Sequence, residues 1–163
     1  MVLLVIPARY ASTRYPGKPL AELRGAGGVS RSLIRRSWDA AMAVPGIDRV
    51  VVATDDARIA RAAEAFGAEV VMTPETCGNG TERCAVVSRE FPEHDIVVNL
   101  QGDLPTIAPL DVQRCLGGLV NDGVDISTIA APITDEADVA NPNIVKAITP
   151  LSESTARLKS CRS

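Results

Sequence analysis

The stretch VLLVI at residues 2–6, followed by PARYASTRYPGKPL at residues 7–20, decides the fold class of this chain. Five consecutive apolar residues without alternation predict a β-strand that is buried on both faces. The segment that follows carries Arg9, Arg14 and Lys18 together with hydroxyl side chains and a glycine. A buried strand that ends in such a loop is typical of α/β proteins, which bind ligands at the carboxyl ends of their parallel strands.

The rest of the chain repeats the alternation of strands and helices. Further apolar runs predict strands at residues 50–53, 70–72, 96–100, 126–130 and 144–148. Apolar residues spaced three to four apart predict helices over residues 30–44, 56–66, 81–91 and 110–120. Strands that alternate with helices predict an α/β fold, with a mainly parallel sheet and helices on both faces.

The composition favours a folded globular chain and argues against several classes of function. The chain has 163 residues, a net charge of −3 and 46% apolar residues, which together exclude intrinsic disorder and predict one α/β domain over residues 1–150. The polar tail 151–163 has no helix or strand pattern, and we expect it to be disordered. Few aromatic residues and a net negative charge argue against nucleic-acid binding.

The apolar runs and the cysteines indicate the cellular compartment of the protein. No apolar run is long enough for a membrane span or a signal peptide, so we expect no membrane association. The four cysteines form no CxxC pair and only one histidine accompanies them, which argues against a zinc site. A reduced, cytoplasmic setting fits this pattern best. Cys84 and Cys115 lie at apolar helical positions and are interpreted as core residues, while His94 is predicted to lie in a surface turn.

Three loops that follow predicted strands carry polar chemistry. The cations of the first loop suit a polyphosphate, although a solvated basic loop would have the same composition. Asp103, in QGDLP at residues 101–105, suits Mg²⁺, although Gly, Asp and Pro also make ordinary turns. The third loop, MTPETCGNGTER at residues 72–83, places glycines before a helix start, where backbone groups could read a base or a phosphate; the alternative is an Asn-Gly turn with Thr81 as N-cap. Asp55 and Asp56 are predicted helix caps, with a site-facing role as the alternative.

The motifs in these loops, taken in order and spacing, resemble one family. They are IPARYASTR at residues 6–14, PGKPL at 16–20, VATD at 52–55, GTER at 80–83, VNLQGD at 98–103 and NPNIVK at 141–146. Together they resemble the bacterial CMP-Kdo synthetases, the 3-deoxy-manno-octulosonate cytidylyltransferases. The resemblance implies a Rossmann-like nucleotidyltransferase fold and the transfer of CMP from CTP, with Mg²⁺, to the sugar acid Kdo for lipopolysaccharide synthesis.

The resemblance also assigns roles to residues. It implies that Arg9, Lys18 and Asp103 are catalytic and that Asp103 binds the metal. It further implies a CTP-binding set in which Arg9, Ser12, Lys18 and the nearby Arg14 hold the phosphates, while others contact cytidine. That set is Ala8, Arg9, Ser12, Arg14, Lys18, Asn79, Gly80, Arg83 and Gln101. Cations that are fixed in place before the reaction would stabilise the charge that develops as pyrophosphate departs.

The sequence departs from the family pattern at several positions. Cys77 replaces the usual histidine, Asn79 the usual serine and Leu104 a frequent acidic residue, and the segment 25–31 replaces the usual Gly-Lys-Pro before the first helix. The resemblance fades after Ala147, before the family's second metal-binding aspartate, most of its sugar surface and its dimer contacts. An exposed sheet edge would favour a homodimer. Two alternatives therefore stand beside the CMP-Kdo reaction: a related enzyme for another sugar acid, of the acylneuraminate type, and an inactive nucleotide-binding remnant.

Overall fold

The computed structural model describes residues 1–11, 15–122 and 124–147. The chain divides into two compact units, Met1–Gln113 and a second unit that begins at Arg114. The predicted boundary at residue 150 and the predicted disordered tail 151–163 lie outside the described residues. The single domain over residues 1–150 therefore stays a prediction.

The described residues form the following helices and strands in chain order. The strands are β1 (Val2–Ala8), β2 (Glu22–Arg24), β3 (Ser30–Ser32), β4 (Arg49–Thr54), β5 (Glu69–Met72) and β6 (Ile96–Asn99). The helices are α1 (Leu33–Met42), α2 (Ala57–Glu64), α3 (Gly80–Ser88), α4 (Pro109–Asp122) and α5 (Glu136–Ala140), and Lys18–Leu20 forms one 3₁₀ turn.

The main sheet has the order β5-β4-β1-β6, and all of its strands are parallel. Val5 in the central strand pairs with Val51 of β4 on one side and with Asn99 of β6 on the other. The chain adds β4 and β5 on one side of β1 and then crosses to the other side for β6. This change of direction opens a crevice between the loops that follow β1 and β6, where open α/β sheets bind their ligands.

Side chains from β1 alternate between two apolar cores, one on each face of the sheet. Leu4 and Ile6 pack on the face that Ile34 of α1 and Ile59 of α2 cover. Leu3 and Val5, one residue out of phase, pack on the face that Cys84 and Val87 of α3 cover. The prediction of a mainly parallel sheet with helices on both faces is confirmed, and so is the core position of Cys84.

Side-chain caps fix the start of two helices beside the crevice. Asp56 precedes α2, and its carboxylate accepts a hydrogen bond from the backbone N–H of Arg58 at 2.8 Å. Asn79 precedes α3, and its Oδ1 accepts from the N–H of Glu82 at 2.9 Å, while Glu82 accepts from the N–H of Gly78 at 2.8 Å. This reciprocal pair satisfies N–H groups that would otherwise lack a partner. The capping role of Asp56 is confirmed, whereas the cap of α3 is Asn79, two residues before Thr81.

The structure differs from the predicted elements in four places. Residues 126–130 form no strand, nor do 144–147 of the predicted strand 144–148, because the described residues provide them with no hydrogen-bonded neighbouring strand. The antiparallel hairpin of β2 and β3 was not predicted, and it delays the start of α1 to Leu33. His94 is buried rather than on the surface, with its ring edge-on to Phe91 at 6.1 Å between centroids.

The unit that begins at Arg114 contains most of α4 and the short helix α5. Asp135 caps α5 by accepting from the N–H of Ala137 at 2.9 Å. The thiol of Cys115, which is half-buried rather than in the core, lies 3.4 Å from the hydroxyl of Ser127. Among the described residues, the helices lack the combination of length and apolarity that a membrane crossing requires.

Candidate functional site

A cavity of about 900 Å³ lies at the carboxyl ends of β1 and β6, in the first unit. Its walls come from three loops, which follow β1, β5 and β6. The residues of these loops that line the cavity include Ala8, Arg9, Lys18, Gly78, Asn79, Gly80, Gln101, Gly102 and Asp103, and Arg83 from α3 joins them. The cavity therefore occupies the crevice that the strand order opens.

The loop after β1 supplies one cation that has no ion-pair partner among the residues that the structure describes. Arg9 is exposed, and its guanidinium forms no ion pair with any other described residue. The loop closes where the N–H of Gly17 donates to the carbonyl of Tyr10 at 2.9 Å. Gly17 has a φ of 72°, and a Cβ there would lie 2.9 Å from the Tyr10 ring, so both backbone and packing require glycine. On α2, the Arg58 guanidinium lies over the same ring, 3.3 Å from its centroid.

Lys18 and Asp103 join the loops that follow β1 and β6. The Nζ atom of Lys18 donates to the Asp103 carboxylate at 2.6 Å, and both side chains are about half exposed, 47% and 50%. A solvated pair of this kind contributes little to stability, so it exchanges partners readily. Both groups therefore remain able to bind a charged ligand in the cavity.

Backbone contact at Gly102 holds the loop after β6 against Pro7, near the carboxyl end of β1. A Cβ at position 102 would lie 2.9 Å from the carbonyl oxygen of Pro7, closer than real Cβ contacts. The carbonyl of Gly102 also accepts a hydrogen bond from the buried hydroxyl of Ser37, on α1, at 2.9 Å. A glycine at this position thus lets the floor of the cavity pack backbone against backbone.

The amino end of α3 forms the opposite wall, next to the end of β6. Gln101 donates from Nε2 to Oδ1 of Asn99 at 3.0 Å, which fixes the direction of its amide. A Cβ at Gly80 would lie 3.1 Å from the Pro7 ring and 3.4 Å from the Gln101 amide. The first turn of α3 therefore approaches both neighbouring loops, and amide and N–H groups are concentrated on this wall.

Arg83 lies on the first turn of α3, and its positive charge is paired with a carboxylate of the protein itself. Its side chain is only 2% exposed, and Nη2 donates to the Asp55 carboxylate at 2.6 Å. Nη1 donates to the hydroxyl of Thr73, which is also buried. The prediction that Asp55 caps a helix is wrong, because its carboxylate pairs with Arg83 while Asp56 caps α2. No sequence pattern indicated a role for Thr73.

The predicted site residues in the described part of the chain line one cavity. They are Ala8, Arg9, Lys18, Asn79, Gly80, Arg83, Gln101 and Asp103. Ser12 and Arg14 lie outside the described residues. Cys77, which departs from the family pattern, is buried just before Asn79, and Leu104 is exposed just after Asp103. Burial raises the pKa of the Cys84 thiol to about 11, which keeps it protonated and unsuited to act as a nucleophile.

Comparison with known proteins identifies the family. The family model described as cytidylyltransferase matches residues 3–158. The chain belongs to the cytidylyltransferase family. The resemblance to cytidylyltransferases is therefore confirmed, and the family match continues past Ala147, after which the motif resemblance fades, to residue 158.

Individual relatives show which cytidylyltransferases this chain is similar to. A 3-deoxy-manno-octulosonate cytidylyltransferase of Vibrio cholerae serotype O1 is 45% identical over 148 residues, which are 90% of this chain and 56% of the relative. One of Maricaulis maris is 57% identical over 109 residues, 66% of this chain and 40% of that protein. The matched residues thus span about half the length of these relatives, 56% of the first and 40% of the second.

A solved structure supports the same conclusion for the fold. It is a CMP:2-keto-3-deoxy-manno-octonic acid synthetase complexed with CTP. It superposes with a TM-score of 0.69 at 41% identity, covering 76% of this chain and 48% of that one. The predicted Rossmann-like nucleotidyltransferase fold is confirmed.

Proposed function

We propose that this chain binds CTP and transfers CMP to the sugar acid 3-deoxy-manno-octulosonate, giving CMP-Kdo and pyrophosphate for lipopolysaccharide synthesis. One observation carries the proposal: the predicted phosphate, base and metal residues of the described chain line a single cavity at the carboxyl ends of β1 and β6. The relatives named for this reaction support it.

The phosphates of CTP fit the side of the cavity that the loop after β1 forms. Arg9 offers a guanidinium that no other described residue pairs with, and Lys18 offers an ammonium bound only to a half-exposed carboxylate. Both cations line the cavity, so they can bind and stabilise the negatively charged phosphate oxygens. Ser12 and Arg14 complete this predicted set.

The cytidine fits the wall made by the start of α3 and the end of β6. Asn79 and Gly80 present the helix start, and the Gln101 amide is fixed by Asn99. An amide whose direction is fixed by a neighbour distinguishes the edge of one base from that of another, because a mismatched edge leaves its remaining donor or acceptor unpaired. Arg83 belongs to the same predicted set, although its guanidinium is buried and bonded to Asp55 and Thr73.

The donor set around Asp103 fits Mg²⁺ that is bound together with the nucleotide. Within the described residues no cluster of three or more His, Cys, Asp or Glu side chains could hold a metal ion. One exposed carboxylate is nevertheless sufficient for Mg²⁺, which takes one or two protein carboxylates and completes its shell with phosphates and water. When bound, the ion would polarise the phosphoryl oxygens and withdraw negative charge from them.

The reaction needs positioning and charge stabilisation rather than a covalent enzyme intermediate. A hydroxyl oxygen of the sugar acid attacks the α-phosphorus in line, one P–O bond forms, and the bond to the bridging oxygen of the β-phosphate breaks. Pyrophosphate leaves with the bonding electrons and the hydroxyl proton passes to solvent. Lys18 and Arg9 hold the oxygens on which charge accumulates, so they act on the transition state and on the leaving group.

Calorimetric titration with CTP, UTP and ATP, each with Mg²⁺, tests the nucleotide site directly. We expect saturable binding that favours CTP and weakens in Asp103→Ala, with Asp111→Asn as a carboxylate control outside the cavity. Pyrophosphate release on addition of Kdo and CTP then tests turnover, and an acylneuraminate acceptor tests the related reaction. A folded chain that binds no nucleotide would contradict the proposal and favour the inactive remnant.

The homodimer and the cytoplasmic setting stay predictions.

A further inference from the structure

We infer that the buried Asp55–Arg83–Thr73 cluster is a positioning device, through which the segments after β4 and β5 hold the start of α3, the wall of the cavity that receives the base. Arg83 would then act on the nucleotide through this wall rather than by direct contact. The inference rests on the proposed CTP site, and it adds two residues, Asp55 and Thr73, that the motifs did not assign.

The geometry of the cluster supports this role. Asp55 directly follows β4, Thr73 directly follows β5, and Arg83 lies on the first turn of α3. One guanidinium donates to the Asp55 carboxylate at 2.6 Å and to the Thr73 hydroxyl as well. A planar group with several N–H donors in fixed directions ties two partners at once, which an ammonium group does less well.

The burial of the cluster makes the arrangement stiff. The Arg83 side chain is 2% exposed and that of Asp55 is 15% exposed, so water offers little replacement for a lost partner. A buried charge that loses its counter-charge must find another or move toward solvent. The segment between Thr73 and Arg83 is therefore held at both of its ends by the same guanidinium.

The segment held in this way contains the residues that face the ligand. Gly78, Asn79 and Gly80 line the cavity, and a second set of bonds, between Asn79 and Glu82, fixes their local conformation. The capping bonds shape the turn, whereas the Arg83 cluster fixes its place against the sheet. Loss of the cluster should move the base wall and leave the phosphate side, with Arg9 and Lys18, unchanged.

Asp55→Asn is the decisive variant, and Asp56→Asn is its matched control. Each removes one negative charge from the same loop, but Asn at position 56 keeps a favourable N-cap for α2. Arg83→Lys serves as a second variant in case Asp55→Asn does not fold. Lysine keeps the charge but reaches one partner rather than two.

The first measurement reports the wall without any nucleotide. Cys77 is buried within the held segment, so its alkylation by iodoacetamide, followed by peptide mass spectrometry, measures how often the segment opens. We expect alkylation at least about tenfold faster in Asp55→Asn or Arg83→Lys than in Asp56→Asn. Cys84, in the core and with a raised pKa, is the internal reference for global unfolding. Equal Cys77 rates in the three variants would overturn the inference.

The second measurement links the wall to the base. CTP affinity should fall about tenfold or more in Asp55→Asn, while affinity for inorganic tripolyphosphate stays within about twofold of the parent chain. Parallel losses for both ligands, or no loss for either, would overturn the inference. If the parent chain binds tripolyphosphate but not CTP, or neither, the proposed function fails; the Cys77 rates then still decide whether the cluster holds the wall.

Discussion

The two ends of the parallel sheet carry similar charged residues but use them differently. At the amino end, Arg49 pairs with Glu69 at 2.9 Å and Glu93 at 3.5 Å, and its guanidinium lies 4.4 Å from the centroid of the Phe91 ring. At the carboxyl end, Lys18 has one carboxylate partner and Arg9 has none among the described residues. Arg49 thus has its charge balanced within the protein, whereas Arg9, unlike the paired Arg83 at the same end of the sheet as Arg9, keeps its charge available for a ligand.

A cavity alone does not distinguish the two ends. The amino end also has one, of about 460 Å³, bordered by Trp38, Arg49 and His94. His94 is buried there, and neither of its ring nitrogens has a hydrogen-bond partner among the described residues. The two ends therefore differ in the pairing of their cations rather than in the presence of a cavity, and this difference supports the carboxyl end as the proposed binding site.

Replacing Arg9 by alanine should produce the largest effect. A hydrogen bond to a charged group contributes about 1.5–3 kcal/mol, so CTP affinity should fall about tenfold to hundredfold. Arg49→Ala, at the amino end, should leave the affinity unchanged. Isothermal titration of both variants checks this contrast, and an equal loss in both would remove the functional distinction between the two ends.

Gly102→Ala should be the next largest change and should affect stability. The added Cβ would lie 2.9 Å from the Pro7 carbonyl oxygen, and overpacking of this kind costs about 1–3 kcal/mol. Gly27→Ala is the control, because a Cβ there meets nothing within 4 Å. Chemical denaturation measures both variants. If they are equally stable, the close contact of the two loops is not as described.

Arg49→Ala should destabilise the fold by about 1 kcal/mol, since exposed ion pairs and a cation–π contact each contribute fractions of that amount. Arg61→Ala removes an exposed arginine of α2 and should have no measurable effect. Urea midpoints of the two variants give the comparison. A loss as large as that of Gly102→Ala would mean that the charges at the amino end act as a strongly coupled network.

The smallest effect should be a pH dependence at Asp56. Its hydrogen bond with the Arg58 side chain lowers the pKa of this carboxyl from 3.8 to about 2. Because the pKa is lower in the folded state, the stabilisation is complete above pH 3.8 and is lost as the pH falls toward about 2. The difference in thermal midpoint between the parent chain and Asp56→Asn should therefore shrink over this range. A constant difference would show that Asp56 does not titrate in this way.

Sequence reasoning succeeded where a local pattern coincided with the global fold. The run at residues 2–6 is apolar throughout because both faces of β1 are covered. The prediction of a strand buried on both faces is therefore confirmed. The capping role of Asp56 rests on one local hydrogen bond, which the residue type alone suggests. The proximity of Lys18 and Asp103 was predictable because the carboxyl ends of parallel strands lie at the same edge of the sheet.

Features that depend on contacts between distant parts of the chain could not be predicted from local sequence patterns. Residues 126–130 are as apolar as a strand, but Ile126 is 86% exposed, and a strand requires a partner that no local pattern reveals. Thr73 and Asp55 are short polar residues after strands, and only the fold shows that one guanidinium joins them. His94 follows a proline turn, yet packing against Phe91 buries it.

Trp38 gives the molecule a built-in optical probe. It is the only tryptophan of the chain, it stacks at a tilt on Phe66 with 5.3 Å between centroids, and it borders the amino-end cavity. Tryptophan fluorescence therefore originates at the opposite end of the sheet from the proposed CTP site. Tryptophan emission reports on the packing around α1, while the heat of a ligand titration reports on the cavity, so the two signals come from different regions of one molecule.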